Sequence, residues 1–211
     1  VAIAYAEQGA EVSVIKVLDV DTRQFLKDSI YPSAGFGSWT FDNKSFMYSW
    51  IRSADSKDPS SRLSSKTKLH ALDADVNSDV DYFSDASYPD LHIDPSVYPY
   101  VFLDEDSKNY VFAGESSVQN EMKMYYAPIS EFNSSKIKWK KLIMPSDTIV
   151  RGLVIKNDDA YAITYNNEKN YKVVSTSLKN PDWNNAATIA SEQIGKTIEL
   201  LPYSKYYFFI T

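Results

Sequence analysis

No cysteine occurs in the 211 residues, which excludes disulfides, thiolate metal sites and a cysteine nucleophile. Histidine appears twice, as His70 and His92. Two histidines far apart in sequence suggest neither a metal site nor a catalytic triad, and both are read as structural. Six glycines are few for a chain that must turn often, so Asn, Asp and Ser must make many of the turns. No apolar run approaches the roughly 18 residues of a membrane span. The opening residues carry no basic region ahead of an apolar one, as a signal peptide would. Positive charge is also short. Lys and Arg total 22 against 28 Asp and Glu, for a net charge of −6. A nucleic-acid partner needs a positive footprint that this chain lacks overall. Neither nucleic acid nor a membrane is therefore expected as a partner. The reading is of a soluble chain, and its compartment, cytoplasmic or periplasmic, stays open.

Aromatic residues are plentiful, with 16 Tyr, 10 Phe and 4 Trp. They tilt the chain toward β structure. Residues 38–50, SWTFDNKSFMYSW, show how. Trp39 and Phe41 alternate with other residues in one arm, and Phe46, Tyr48 and Trp50 alternate in the other. Asp42-Asn43-Lys44-Ser45 between them is turn chemistry, so the stretch reads as a β-hairpin. Similar strands are expected at 2–7, 11–20, 38–41, 45–51, 66–72, 98–103, 109–113, 121–128, 137–143, 149–156, 160–165, 171–178, 196–201 and 206–210. No segment sustains a helical period over three turns, although 188–194 could form a helical turn or two. The fold class is all-β, with short antiparallel strands.

The hairpin plan recurs at 100–115, 151–167 and 198–211, with turns near 43, 106, 158 and 203. The spacings are about 63, 52 and 45 residues, and four strands repeated every 40 to 50 or so residues are the mark of propeller blades. The polar stretch 52–67 accounts for the longer first spacing as an exposed loop. The chain therefore reads as about four four-stranded blades of a β-propeller, one domain over 1–211. Its start within a strand and its apolar end, YYFFIT, suggest truncation at both ends. Unpaired strand edges would then favour self-association. A two-sheet sandwich is the structural alternative.

Chemistry-bearing motifs are sparse. In 73–81, DADVNSDVD, residues Asp73, Asp75 and Asn77 match the first three ligand positions of a calcium loop. Ser78 stands where glycine is needed and Ser84 where glutamate is needed, so this reads as a solvated turn. GFGSWT at 35–40 is not a nucleophile elbow. Lys136-Ile-Lys-Trp-Lys-Lys141 reads as a strand with its lysines on the wet face. Asn43 and Asn133 each begin a glycosylation sequon. No catalytic, cofactor or metal residue is assigned, and no cofactor is expected.

Several stretches together resemble the propeller domain of the prolyl oligopeptidase family of serine peptidases. They are 4–30, AYAEQGAEVSVIKVLDVDTRQFLKDSI; the 38–50 hairpin, through Trp39, Thr40, Asp42, Lys44, Phe46 and Tyr48; 68–91, through Leu69, His70, Leu72, Asp79 and Pro89; and 139–143, WKKLI, with 162–193. The family's turn glycine is replaced by Asn43 and Ser107, and Asp73 follows Leu72 where glycine is frequent. The resemblance implies a seven-bladed propeller inserted in the sequence of an α/β-hydrolase domain, which carries a Ser-Asp-His triad. The propeller would cover that site and admit short peptides, with cleavage typically after proline. The hydrolase domain is absent from this sequence and no triad member falls here, so the chain alone is expected to be inactive. The alternative is a stand-alone propeller that binds a glycan or a protein.

Overall fold

The computed structural model describes residues 1–6, 10–55 and 57–192, and the backbone of two strands beyond them. The first sheet holds β1 (Ala2–Tyr5), β2 (Ser13–Asp19), β3 (Gln24–Trp39), β4 (Ser45–Trp50), β5 (Lys66–Ala71) and β6 (Val80–Phe83), in chain order. The second holds β7 (Tyr98–Phe102), β8 (Tyr110–Ser116), β9 (Met124–Pro128) and β10 (Lys140–Ile143), in the order β10-β9-β8-β7. The third runs β11 (Ile149–Lys156), β12 (Asp159–Thr164), β13 (Lys172–Ser177) and β14 (Ala187–Ala190). The strands β15 (Ile198–Leu200) and β16 (Phe208–Ile210) pair with each other. By contact, the chain divides into two compact units, 1–103 with 115–117, and 104–114 with 118–211.

The expected strands are largely present, and the recurring hairpin has a definite place. In each four-strand meander its turn joins the first strand to the second: around Asn43 for β3 and β4, 103–109 for β7 and β8, and 157–158 for β11 and β12. The turn near 203 lies outside the described residues. The Asn43 turn shows why polar residues suffice. Asn43 takes a left-handed φ of 57°, a conformation that Asn tolerates better than most residues. The Thr40 hydroxyl donates to Asp42 Oδ1 at 2.6 Å and accepts the Ser45 amide at 3.1 Å, and Asp42 accepts the Lys44 amide.

Strand β3 is the main departure from the expected pattern. Only 38–41 reads as strand in the sequence, yet β3 has 16 residues. Its first half pairs with β2, from Gln24↔Asp19 to Ser33↔Ser13, and its second half with β4, from Ser33↔Trp50 to Trp39↔Phe46. One strand thus closes a three-strand meander and opens a four-strand one, making a continuous six-stranded sheet. Pro32 donates no amide, and it sits where the β2–β3 register shifts between Ser13 and Ile15. Gly35 takes a φ of +140°, and a Cβ on Gly37 would lie 2.8 Å from the Met47 carbonyl oxygen. Residues that ordinarily break strands here permit a bulged strand to pass between two meanders.

Smaller corrections follow the same lines. β6 occupies a stretch read as loop. Ala187–Ala190 is a strand on the edge of β13 instead of a helical turn, and residues 193–194 of that expectation lie outside the described residues. Of the lysine-rich 136–141, only Lys140 and Lys141 are in a strand, and both are exposed next to buried Leu142 and Ile143. The polar insert 52–67 is mostly turns, but Ser61 and Ser65 are buried, and the last two residues open β5.

The aromatic arms of 38–50 supply the core of the first unit. Ile15, Val17, Ile30, Phe46 and Tyr48 are buried together, with Phe36, Trp39, Trp50 and Leu72 packed against them. Phe46 is fully buried, its ring 5.1 Å from Trp39, 5.6 Å from Phe36 and 5.3 Å from the His70 imidazole. In the second unit Val150, Ile163 and Val173 form a smaller cluster beside Tyr165 and Tyr171. The turns of that unit also tie together. Ser107 Oγ donates to the Asn157 carbonyl and the Asn157 amide to the Asp106 carbonyl, each at 2.6 Å.

Candidate functional site

The first unit carries a cleft of about 360 Å³. Its walls come from Glu11 just before β2, the middle of β3, the end of β4, the start of β7 and the end of β8, and Arg62 of the polar insert reaches into it. Arg62 Nη2 lies 2.7 Å from Glu11 Oε2, and Arg62 Nη1 donates to the Tyr98 hydroxyl at 3.0 Å. The Tyr98 bond and the Glu11 charge stabilise the guanidinium cation. Glu11 is largely exposed, with 82% of its side chain open to solvent, so this ion pair is well hydrated and weak. Tyr98, Pro99 and Tyr100 supply an apolar wall, and burial pushes the Tyr100 phenol up. The insert is anchored nearby: Ser65 Oγ donates to the Val97 carbonyl at 3.1 Å, and Thr67 Oγ1 of β5 to the Pro99 carbonyl at 2.9 Å. A guanidinium beside phenol rings and serine hydroxyls suits peptide carbonyls and carboxylates. It provides no nucleophile–base pair.

The second feature is a buried polar row. His70 is fully enclosed in β5. Its Nδ1 lies 2.7 Å from Asp79 Oδ1 and its Nε2 3.0 Å from Asp28 Oδ1. Asp28 Oδ1 also accepts the Asp73 amide at 2.7 Å, and Tyr48 donates its hydroxyl proton to Asp79 Oδ2 at 2.8 Å. Burial favours the neutral ring, but the bonds and charges of Asp79 and Asp28 outweigh it and raise the His70 pKa above its ordinary value. Burial and Asp79 together push the Tyr48 phenol far up.

The other residues singled out in the sequence are placed apart. His92 is exposed and closes the 3₁₀ turn Pro89–Leu91 in a left-handed conformation. Asp73 pairs with Lys27 at 3.6 Å, and Asp75 caps the turn Val76–Ser78 by accepting the Asn77 amide. Among the described residues no three His, Cys, Asp or Glu side chains are placed to hold a metal ion together. The GFGSWT stretch lies on β3. Asn43 and Asn133 are both exposed in turns. The sequence reading passes over Glu11, Arg62 and Asp28. One of two Arg residues in a serine-rich insert and an Asp within FLKDSI were the available signals, and each needs a distant partner to acquire meaning.

Comparison with known proteins completes the picture. The chain matches the family described as "Prolyl oligopeptidase, N-terminal beta-propeller domain" over residues 1–211. No curated protein is detectably similar in sequence. Among solved structures, one from a study of two prolyl endopeptidases and the role of inter-domain dynamics in their catalysis and specificity superposes with a TM-score of 0.70 at 18% identity. Prolyl oligopeptidase B from Galerina marginata superposes at 0.68 with 17% identity, both as the apo protein and bound to a 25mer macrocyclization substrate. Each match covers 93% of this chain and 28% of the other, so the chain spans just over a quarter of the length of these proteins. The antiparallel meanders are propeller blades, and the chain belongs to the prolyl oligopeptidase N-terminal β-propeller family.

Proposed function

We propose that this chain is the non-catalytic, substrate-gating part of a prolyl oligopeptidase-like serine endopeptidase. Its partner would be an α/β-hydrolase domain of the same parent chain, and its clients short peptides cleaved typically after proline. The observation that carries this reading is the match to the family's propeller domain along all 211 residues, in a chain whose own motifs offer no catalytic set. The similar proteins of known structure are prolyl endopeptidases more than three times its length. Blades around an axis leave a narrow passage, which rejects folded proteins by size and passes flexible peptides. The Arg62 cleft would offer weak, reversible contacts to such a peptide, because its Glu11 partner is hydrated and easily exchanged.

The test compares hydrolysis of a short proline-linked reporter peptide by the full-length parent and by the 211-residue chain. Activity in the parent and none in the chain supports the proposal. Hydrolysis by the chain, or an inactive but folded parent, refutes it and favours a propeller that only binds.

A further inference from the structure

His70 sits in a row with a proton count that its geometry dictates. Two short nitrogen–oxygen contacts, one on each side of the ring, need a proton in each. A neutral imidazole carries only one N–H, and its other nitrogen offers a lone pair. The row Asp28–His70–Asp79 therefore holds two protons, one more than the same three side chains hold in water near neutral pH. Loss of one proton sets a lone pair against a carboxylate oxygen. Asp28 is poorly equipped for that. Its Oδ2 is buried with no hydrogen-bond partner, so the His70 N–H and the Asp73 amide carry its stabilisation.

The surroundings supply no substitute. The titratable groups touching the ring are Asp28 from β3 and Asp79 from the turn before β6. From β4, Tyr48 reaches Asp79, and Phe46 presents only its ring to the imidazole. Lys27, on the same strand as Asp28, faces Asp73 at the surface.

We propose that Asp28, His70 and Asp79 form a proton-operated lock on this sheet. With both protons in the row, the turn over 72–79 is pinned to β3 and β5. At alkaline pH one proton leaves to solvent and the turn is released. The sign follows from the raised His70 pKa. The lock is complete below the ordinary histidine value of about 6.5 and weakens as pH rises from there through the higher folded-state value. Across that window the closed-to-open ratio falls as pH rises, by at most tenfold per pH unit, the limit for a single linked proton. The proposal is independent of the peptidase reading.

Hydrogen exchange in the full-length parent tests it, followed by mass spectrometry from pH 6 to 9 with times corrected for intrinsic exchange. The Asp73 amide, bonded to Asp28, is a direct reporter. Peptides over 66–84 should lose protection as pH rises above the onset, by up to tenfold per pH unit, while peptides over β12 stay level. Asp28→Asn removes the second carboxylate and should flatten the slope. His70→Gln should do the same. Corrected protection that is constant across the range in the wild type overturns the proposal. So does a wild-type slope retained in either variant. If both variants fail to fold, the wild-type contrast between the two sets of peptides decides alone.

Discussion

Phe46→Ala is the sharpest test of how the first unit is held together. Phe46 is fully buried, and four rings lie around it: Trp39 at 5.1 Å, His70 at 5.3 Å, Phe36 at 5.6 Å and Tyr48 at 6.4 Å between centroids. Truncating a buried Phe costs about 3–5 kcal/mol, most where the surroundings cannot close on the cavity. Here the neighbours are rigid rings carried on paired strands, and aromatic contacts add to simple burial. The expected loss is therefore about 4–5 kcal/mol. Phe25→Ala is the control. Phe25 is 56% exposed, with Lys16 Nζ 5.8 Å from its ring centre, and its loss should cost about 0.5–1 kcal/mol. Urea unfolding followed by tryptophan fluorescence reads both, since Trp39 lies against Phe46. A Phe46→Ala loss below about 1.5 kcal/mol, or one no larger than that of Phe25→Ala, would refute the view that this aromatic cluster is the core of the unit.

Three other perturbations probe different links. Gly37→Ala places a Cβ 2.8 Å from the Met47 carbonyl oxygen, against backbone, so it should destabilise by about 1–3 kcal/mol in the same unfolding assay. Arg62→Ala in the parent enzyme removes the cation from the cleft. If the cleft contacts peptides, KM for a short peptide should rise about fivefold, the effect of about 1 kcal/mol, with kcat unchanged; an unchanged KM would remove the cleft from substrate handling. Finally, β1 is one of the two edge strands of its sheet. The isolated chain should self-associate through such edges, and sedimentation showing a strict monomer at high concentration would refute that.

Local chemistry made most of the fold readable. Alternating aromatic arms around Asp-Asn-Lys-Ser specify a hairpin wherever they stand, because strand preference, face alternation and turn formation all act within a few residues. The recurrence of that hairpin was enough to suggest blades, and the resemblance of spaced residues pointed to the family. Strand β3 was hidden for a physical reason. Pro32, Gly35 and Gly37 break strands in isolation, and only the register of β2 on one side and β4 on the other turns them into a bulged continuous strand. The two sites were harder still. His70 meets Asp79 nine residues away and Asp28 42 away, and Arg62 meets Glu11 across 51. No local window of the sequence contains His70 with Asp28 or Arg62 with Glu11. Residue types, strand arms and turns were set by the sequence alone. Tertiary structure alone decided that His70 would be buried between the carboxylates of Asp28 and Asp79, which raise its pKa. A pKa depends on distances and burial, and these exist only once the sheets have formed.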